Sequence, residues 1–485
     1  MFLCRTDNCL CLSTQSIEPE FLLGADGRYT ESDNYSKITV SEDGIDNKGC
    51  LETPQKYLCK TLQYVLERPL KTTTKILIDG GSDNNYHGCH QNSGIDLTRN
   101  GQRIIIQKYD REQNNSKLIY SCSITLFKWN FSVHSQAQIF FKNLIFNGIR
   151  VTLQNVSVHF ENIEFHSVVL TDKLYLHYSP ASYMHVELFS TKWLPLPNIH
   201  TVKTSNIIQI SILFSVHINI TNTDFTLGTQ LIFECAHCSV SFRNVIFTGV
   251  PSMLQFNCLV CVKPQETYHH FRSKNVLYLS NVSVSNVWLE KVPFIAINLC
   301  NMVLKIEDSV FFNMSQVGLI ESKKKVNLVY MLNMSLLNNT FSNINCKTDI
   351  KGSVLNINIA KNLVMWAKFL VTKCTFFNNM ANEAGVTYIT AQNYPYLGSD
   401  RVLISFDHCL FVNNCALKQA GSLYIGKRVH VFLTNTYFGH QTNLVSSFSD
   451  GIFIICFGTM VTRNVSLVMS HSSEKSVFKL TPEVE

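Results

Sequence analysis

Between residues 139 and 467 the chain repeats an eight-residue pattern: two apolar residues in alternation, a polar hinge, and a large apolar residue three places after the hinge. Clear copies are Ile139–Phe141–Asn143–Phe146, Val158–Phe160–Asn162–Phe165, Ile218–Ile220–Asn222–Phe225, Val240–Phe242–Asn244–Phe247 and Leu277–Leu279–Asn281–Val284. Later copies are Leu304–Ile306–Asp308–Phe311, Met334–Leu336–Asn338–Phe341, Phe369–Val371–Lys373–Phe376, Ile404–Phe406–His408–Phe411 and Val431–Leu433–Asn435–Phe438, with an echo at Asn464 and Leu467. Hinges lie 19 to 37 residues apart, except for a gap of 60 between Asn162 and Asn222 that should hide one or two degenerate copies.

Apolar alternation with a period of two describes a short strand with one buried face, and Asn at the hinge tolerates the left-handed backbone of a sharp bend. A unit this small cannot bury its own apolar face, so the copies must stack around one continuous core. The pattern therefore predicts an all-β parallel β-helix, one copy per coil, with inward Phe ladders and rows of Asn bonding along the axis. About twelve to fourteen coils at ~4.8 Å each make a rod roughly 60 Å long. A propeller would need a steadier period, a leucine-rich solenoid would put Leu where Phe dominates, and neither fits.

Two late segments sit 35 residues apart: Cys374-Thr375-Phe376-Phe377-Asn378-Asn379 leading to Ala384-Gly385-Val386, and Cys409-Leu410-Phe411-Val412-Asn413-Asn414 leading to Ala420-Gly421-Ser422. They resemble the Phe-x-x-Asn and Gly-Gly-apolar repeats of right-handed parallel β-helix proteins of the pectin-lyase-like superfamily, including polymorphic outer-membrane adhesins, although one Gly of the pair is missing in each. The stretch Asp43-Gly44-Ile45-Asp46, Cys50 and Cys59–Leu66 is similar to the opening of animal extracellular β-helix ectodomains. The resemblance covers roughly residues 40–470 and implies fold more than function, because this architecture hosts many unrelated activities.

The expected organisation is a polar tail at 1–39, one β-helix domain at 40–470 and a carboxy-terminal tail at 471–485. Leu62, Val65 and Leu66 have helical spacing before Pro69, so a short helix should cap the open amino-terminal end, and Lys75–Asp79 with Arg103–Gln107 should form the first coil. Net charge is +6 with only 16% charged residues, and no basic stripe points to nucleic acid.

Seventeen cysteines and ten Asn-x-Ser/Thr sequons suggest an extracellular or cell-surface location. The sequons are Asn34, Asn114, Asn130, Asn155, Asn219, Asn281, Asn313, Asn333, Asn338 and Asn464. No signal peptide is recognisable in Met1–Leu12, where Arg5, Asp7 and Asn8 interrupt the apolar stretch, and no apolar run is long enough to span a membrane. The chain therefore reads as a fragment of a longer product. Cys50 and Cys59 read as a disulfide of the cap. Cys235, Cys238, Cys258 and Cys261 have the outward form of a four-thiolate zinc site but read first as disulfides between adjacent coils.

His87, Cys89 and His90 with Asp79 and Asp83, and the Asp43–Asp46 turn, read as polar loops before metal sites. Glu161 with Glu164 and Glu307 with Asp308 are the nearest acidic pairs, and both read as solvated turn residues. No catalytic residue, metal ligand or cofactor is assigned. The leading expectation is a non-enzymatic extracellular module for adhesion or ligand binding, as part of a larger surface receptor, with a carbohydrate or protein ligand. Its rivals are a polysaccharide lyase or glycoside hydrolase, marked by several carboxylates with a Lys or Arg on one outer face, and a structural surface protein.

Overall fold

The fold is a parallel β-solenoid, seen in a computed structural model. The structure describes residues 35–482 apart from 71–72, 89–94, 97–102, 110–116, 123, 128–137, 148–149, 155–156, 167–168, 174–182, 190–191, 195–205, 212–214, 227–228, 235–236, 249–252, 258–274, 288–292, 299–300, 316–317, 323–330, 347–349, 360–365, 392–401, 419, 427–428, 444–451, 457–459 and 469–477. One ladder starts at Ser36–Ser41, passes through Thr73–Asp79, Arg103–Lys108, Gln138–Lys142 and Ser157–Glu161, and ends through Val402–Asp407 and His430–Thr434 at Met460–Arg463, with every pairing parallel. A separate sheet stacks 14 strands from Ile95–Asp96 to Phe478–Pro482. At ~4.8 Å per rung the stack is roughly 60 Å long. Among the described residues the only α-helices are Lys48–Glu52 and Leu62–Leu66, and no helix is long and apolar enough to cross a membrane.

Each hinge is a left-handed corner. Asn143, Asn162, Asn222, Asn244, Asn281, Asp308, Asn338, Lys373, His408, Asn435 and Asn464 all have φ between 48° and 56°. This conformation costs most L residues energy and costs Asn less, because its short amide bonds locally. Here the amides bond along the axis: Nδ2 of Asn162 donates to Oδ1 of Asn143 (2.7 Å), Asn244 to Asn222 (2.9 Å), Asn281 to Asn244 (2.9 Å) and Asn464 to Asn435 (3.0 Å). A second corner follows five residues after the first at Asn286, Asn313, Asn343, Asn378, Asn413 and His440, with φ of 52° to 55°. Between the two corners lies a third face, formed by Thr375–Phe377, Leu410–Val412, Tyr437–Gly439 and Ser466–Val468 and by the first halves of Val310–Ser315 and Thr340–Asn345, which run on through the second corner.

The interior holds the expected ladder. Phe146, Phe247, Phe311, Phe376, Phe411 and Phe438 are all buried, while the side chain of Phe165 lies outside the described residues. Phe311, Phe341, Phe376, Phe411 and Phe438 stack face to face in sequence at 5.3, 5.1, 4.6 and 4.6 Å. Offset stacks of this kind add to the burial of each ring. A buried amide ladder runs beside them: Nδ2 of Asn379 donates to the Phe341 carbonyl and Nδ2 of Asn414 to that of Phe376, both at 3.0 Å, and each Oδ1 accepts a backbone N–H from the preceding coil. These amides satisfy corner backbone groups that water cannot reach.

Several boundaries differ from the expectation. Ser36–Ser41 pairs with Thr73–Asp79, so the sheet begins inside the presumed 1–39 tail. Phe478–Pro482 pairs with Ile452–Cys456, so the solenoid reaches into the presumed 471–485 tail. Thr73–Asp79 and Arg103–Lys108 lie in register on successive coils and do not share the first one. The long gap holds one degenerate copy, Tyr183–Phe189 with Lys192–Leu194, in which Val186, Leu188 and Trp193 take the registers of Ile218, Ile220 and Phe225. The sequence position matching Asn222 is Ser190, so a search for Asn misses this copy.

The outer edge of Ser36–Ser41 is bridged by Cys59, while Leu58 beside it accepts from the Ile45 N–H. Cys59 bridges Val40 in parallel, its N–H donating to the Thr39 carbonyl and its carbonyl accepting from Ser41. Helix Leu62–Leu66 buries Leu62, Val65 and Leu66 in the same core as Ile38 and Val40.

Candidate ligand-binding face

Most residues singled out from the sequence have structural roles. Cys50 and Cys59 form the expected disulfide. Asp46 accepts from the N–H groups of Lys60 (2.8 Å) and Thr61 (2.9 Å) and from the Thr61 hydroxyl (2.7 Å), which fixes the start of the helix that Thr61 caps. Gly44 is required there, since a Cβ would lie 2.3 Å from the Cys59 carbonyl oxygen. Asp79 accepts from the Gly81 N–H, and the His87 N–H donates to Glu42, while Cys89 and His90 lie outside the described residues.

Cys238 is the second residue of the strand His237–Thr248, in register with Val216. Cys235, Cys258 and Cys261 lie outside the described residues, and the last register pair before the first two is Glu234 with Asn257. Cys122 is disulfide-bonded, a role the sequence pattern did not indicate. Among the described residues no group of three or more His, Cys, Asp or Glu is arranged to hold a metal ion.

Both acidic pairs are occupied. Glu161 pairs with Lys142 at 2.9 Å and His159 at 3.7 Å. Hydrogen bonding from His159, helped by Lys142 and opposed by burial, pulls its carboxyl from 4.5 to about 2. Glu164 pairs with Lys117 at 2.9 Å on a different face. Glu307 accepts from the Tyr278 hydroxyl at 2.8 Å, and Asp308 from Nδ2 of Asn338 at 2.7 Å. A further cluster on the outer side of the second sheet is self-contained. Lys351 reaches Glu383 (3.1 Å) and the Tyr388 hydroxyl (3.0 Å), and Tyr388 stacks on Tyr424 at 4.7 Å.

Of the sequons, Asn281, Asn313, Asn338 and Asn464 are exposed corner residues. Asn219 and Asn333 sit half-buried within strands, and Oδ1 of Asn219 is buried without a hydrogen-bond partner. Asn34, Asn114, Asn130 and Asn155 lie outside the described residues.

The face between the two corners is distinctive. Its outward positions lie two and four residues after each hinge. From Ile246 onwards the first column reads, in register, Ile246, Ser283, Val310, Thr340, Thr375, Leu410, Tyr437 and Ser466. The second reads Thr248, Ser285, Phe312, Ser342, Phe377, Val412, Gly439 and Val468. None of these residues is charged, whereas the same columns upstream hold Glu164, Lys192 and Asp224. Val310, Phe312, Phe377 and Leu410 are 37–40% exposed, and exposed apolar side chains gathered on one face mark an interaction surface more often than scattered ones do. Rows of exposed corner residues, mostly Asn, border the strip on both sides. The signal was present in the sequence, but it becomes visible only once each hinge is aligned and the alternate positions are read down the stack.

No family model matches the chain, and no curated protein matches it. Among solved structures it is similar to tailspike protein 3 of bacteriophage CBA120, with 12% identity over 92% of this chain and a TM-score of 0.33. The chain spans 61% of that tailspike's length. It is also similar to the GH136 lacto-N-biosidase from Eubacterium ramulus, with 9% identity over 90% of this chain and 68% of that one and a TM-score of 0.22. At these scores neither likeness bears on what the chain binds or does.

Proposed function

We propose that the chain is a non-catalytic β-helix surface module that binds an extended, uncharged ligand along the strip between its two corner rows, a neutral carbohydrate being the class that fits best. The observation that carries this reading is the run of uncharged outward residues from Ile246 to Val468, with Phe377 and Leu410 exposed and Tyr437 beside Leu410 in register. Sugar rings offer apolar C–H faces to such side chains, and hydroxyls on their rims meet the donors and acceptors of corner amides. An acidic polymer would find no row of cations on this strip.

Glu161 is unsuited to the role of a general acid. A general acid must hold its proton near the working pH, and Glu161 is held at about 2 by its partners. The test is titration of the purified chain with neutral hexasaccharides, followed by assay of the mixture for new reducing ends. Saturable binding that weakens about tenfold in Phe377→Ser with Leu410→Ser, with no reducing ends formed, is the expected result; tenfold is ~1.4 kcal/mol, less than two buried apolar contacts supply. Binding indifferent to both substitutions refutes the assignment of the strip, and steady cleavage replaces it with the hydrolase reading.

A further inference from the structure

The repeat itself writes sequons onto the corners. The hinge Asn is exposed, the next residue points inward, and the one after it is an outward position of the strip. Where that position holds Ser or Thr, as in Asn281-Val282-Ser283, Asn338-Asn339-Thr340 and Asn464-Val465-Ser466, an N-glycosylation acceptor results. Asn313 does the same at the second corner with Ser315.

These four acceptors coincide with the exposed apolar residues. Ile246 is in register with Ser283, and Val310 with both Ser283 and Thr340. Phe312 adjoins Asn313, Leu337 adjoins Asn338, and Val461 and Val468 share a rung with Asn464. Among the described residues outside the amino-terminal cap, the large exposed apolar residues that remain are Phe377 and Leu410. Their register partners Ser342, Val412, Thr375 and Tyr437 belong to no sequon, and neither do the corners of their own rungs.

We propose that N-glycans on Asn281, Asn313, Asn338 and Asn464 cover the apolar residues at both ends of the strip and leave a window at Phe377 and Leu410. Attachment takes one of the two hydrogens on Nδ2, and the other remains for the axial bond that Asn338 makes to Asp308 and Asn464 to Asn435. The window is where the ligand reading above places the centre of binding, so the proposal narrows that site and rests on it for the window's use, but not for the glycans.

The test directs the full chain into the secretory pathway of a eukaryotic host and maps glycan occupancy by peptide mass spectrometry. All four asparagines should be occupied. Native removal of the glycans should raise the fluorescence of the apolar dye 8-anilinonaphthalene-1-sulfonate about threefold, the scale of uncovering most of an exposed apolar strip. The residual signal of the glycosylated chain should fall in Phe377→Ser with Leu410→Ser to the level set by Ile45, Tyr57 and Leu58 of the cap. It should fall as far in Lys373→Asn, which creates the acceptor Asn-Cys-Thr inside the window.

Vacancy at any of the four asparagines, or a dye signal indifferent to glycan removal, overturns the shielding. Both readouts need no carbohydrate ligand, so they fail or succeed independently of hexasaccharide binding.

Discussion

At the residue scale the corner decides the sequence. A left-handed backbone costs a residue with a Cβ about 1–2 kcal/mol, and Lys373 (φ 53°) accepts that cost without an amide to offset it. Lys373→Gly should therefore raise the stability of unglycosylated protein by about 0.5–1 kcal/mol in chemical denaturation, the relief at the corner outweighing the freedom glycine gains when unfolded. A loss of stability would show that the Lys373 side chain holds the corner. Glu161 gives a pH test with a definite sign. Its carboxyl sits at about 2 in the fold against 4.5 ordinarily, so its contribution is present above pH 4.5 and is lost as pH falls from there through 2. Glu161→Gln should flatten the acid limb of the stability profile in that window. The buried thiols are a third case: burial pushes Cys374 up to about 11 and Cys409 up to about 12. Neither should react with iodoacetamide at pH 8 until the chain unfolds, because the thiolate is the reacting species.

At the element scale one coil is the unit, and the parts of it legible in the sequence are those with a single job. The first corner could be read because φ near 50° selects Asn and because apolar alternation leads up to it. The second corner escaped because neighbouring residues of one type do opposite work there. Asn378 is exposed and left-handed, whereas Asn379 is fully buried and bonds to the Phe341 carbonyl. The same holds for Asn413 and Asn414. The outward strip was likewise hidden, since absence of charge means nothing until positions are aligned rung by rung. Phe411 tests the unit directly: it stacks between Phe376 and Phe438 at 4.6 Å each and meets Phe406 edge-on at 5.5 Å. With rings fixed on both sides the cavity cannot collapse easily, so Phe411→Ala should cost roughly 3–5 kcal/mol. A cost below about 1 kcal/mol, the range of surface substitutions, would mean the ladder is loosely packed.

At the scale of the whole molecule, stability is a sum of coils and the contacts between neighbours, so a local loss should stay local. The amino-terminal end is where this is sharpest. The outer edge of Ser36–Ser41 is bridged by Cys59 at Val40, and the Cys50–Cys59 disulfide ties that bridge to helix Lys48–Glu52. An edge left open offers unpaired backbone groups to any other strand. Replacing both cysteines by Ser removes a short loop closure worth roughly 2–3 kcal/mol in the chain-entropy account. Amide hydrogen exchange should then quicken in Ser36–Ser41 and Thr73–Asp79, while Trp366–Thr372 and Val402–Asp407, many rungs away, keep their protection. The freed edge should also produce association that grows with protein concentration, read by light scattering. Exchange that quickens equally along the whole stack would show instead that the solenoid unfolds as one cooperative block, with the cap setting the stability of every coil.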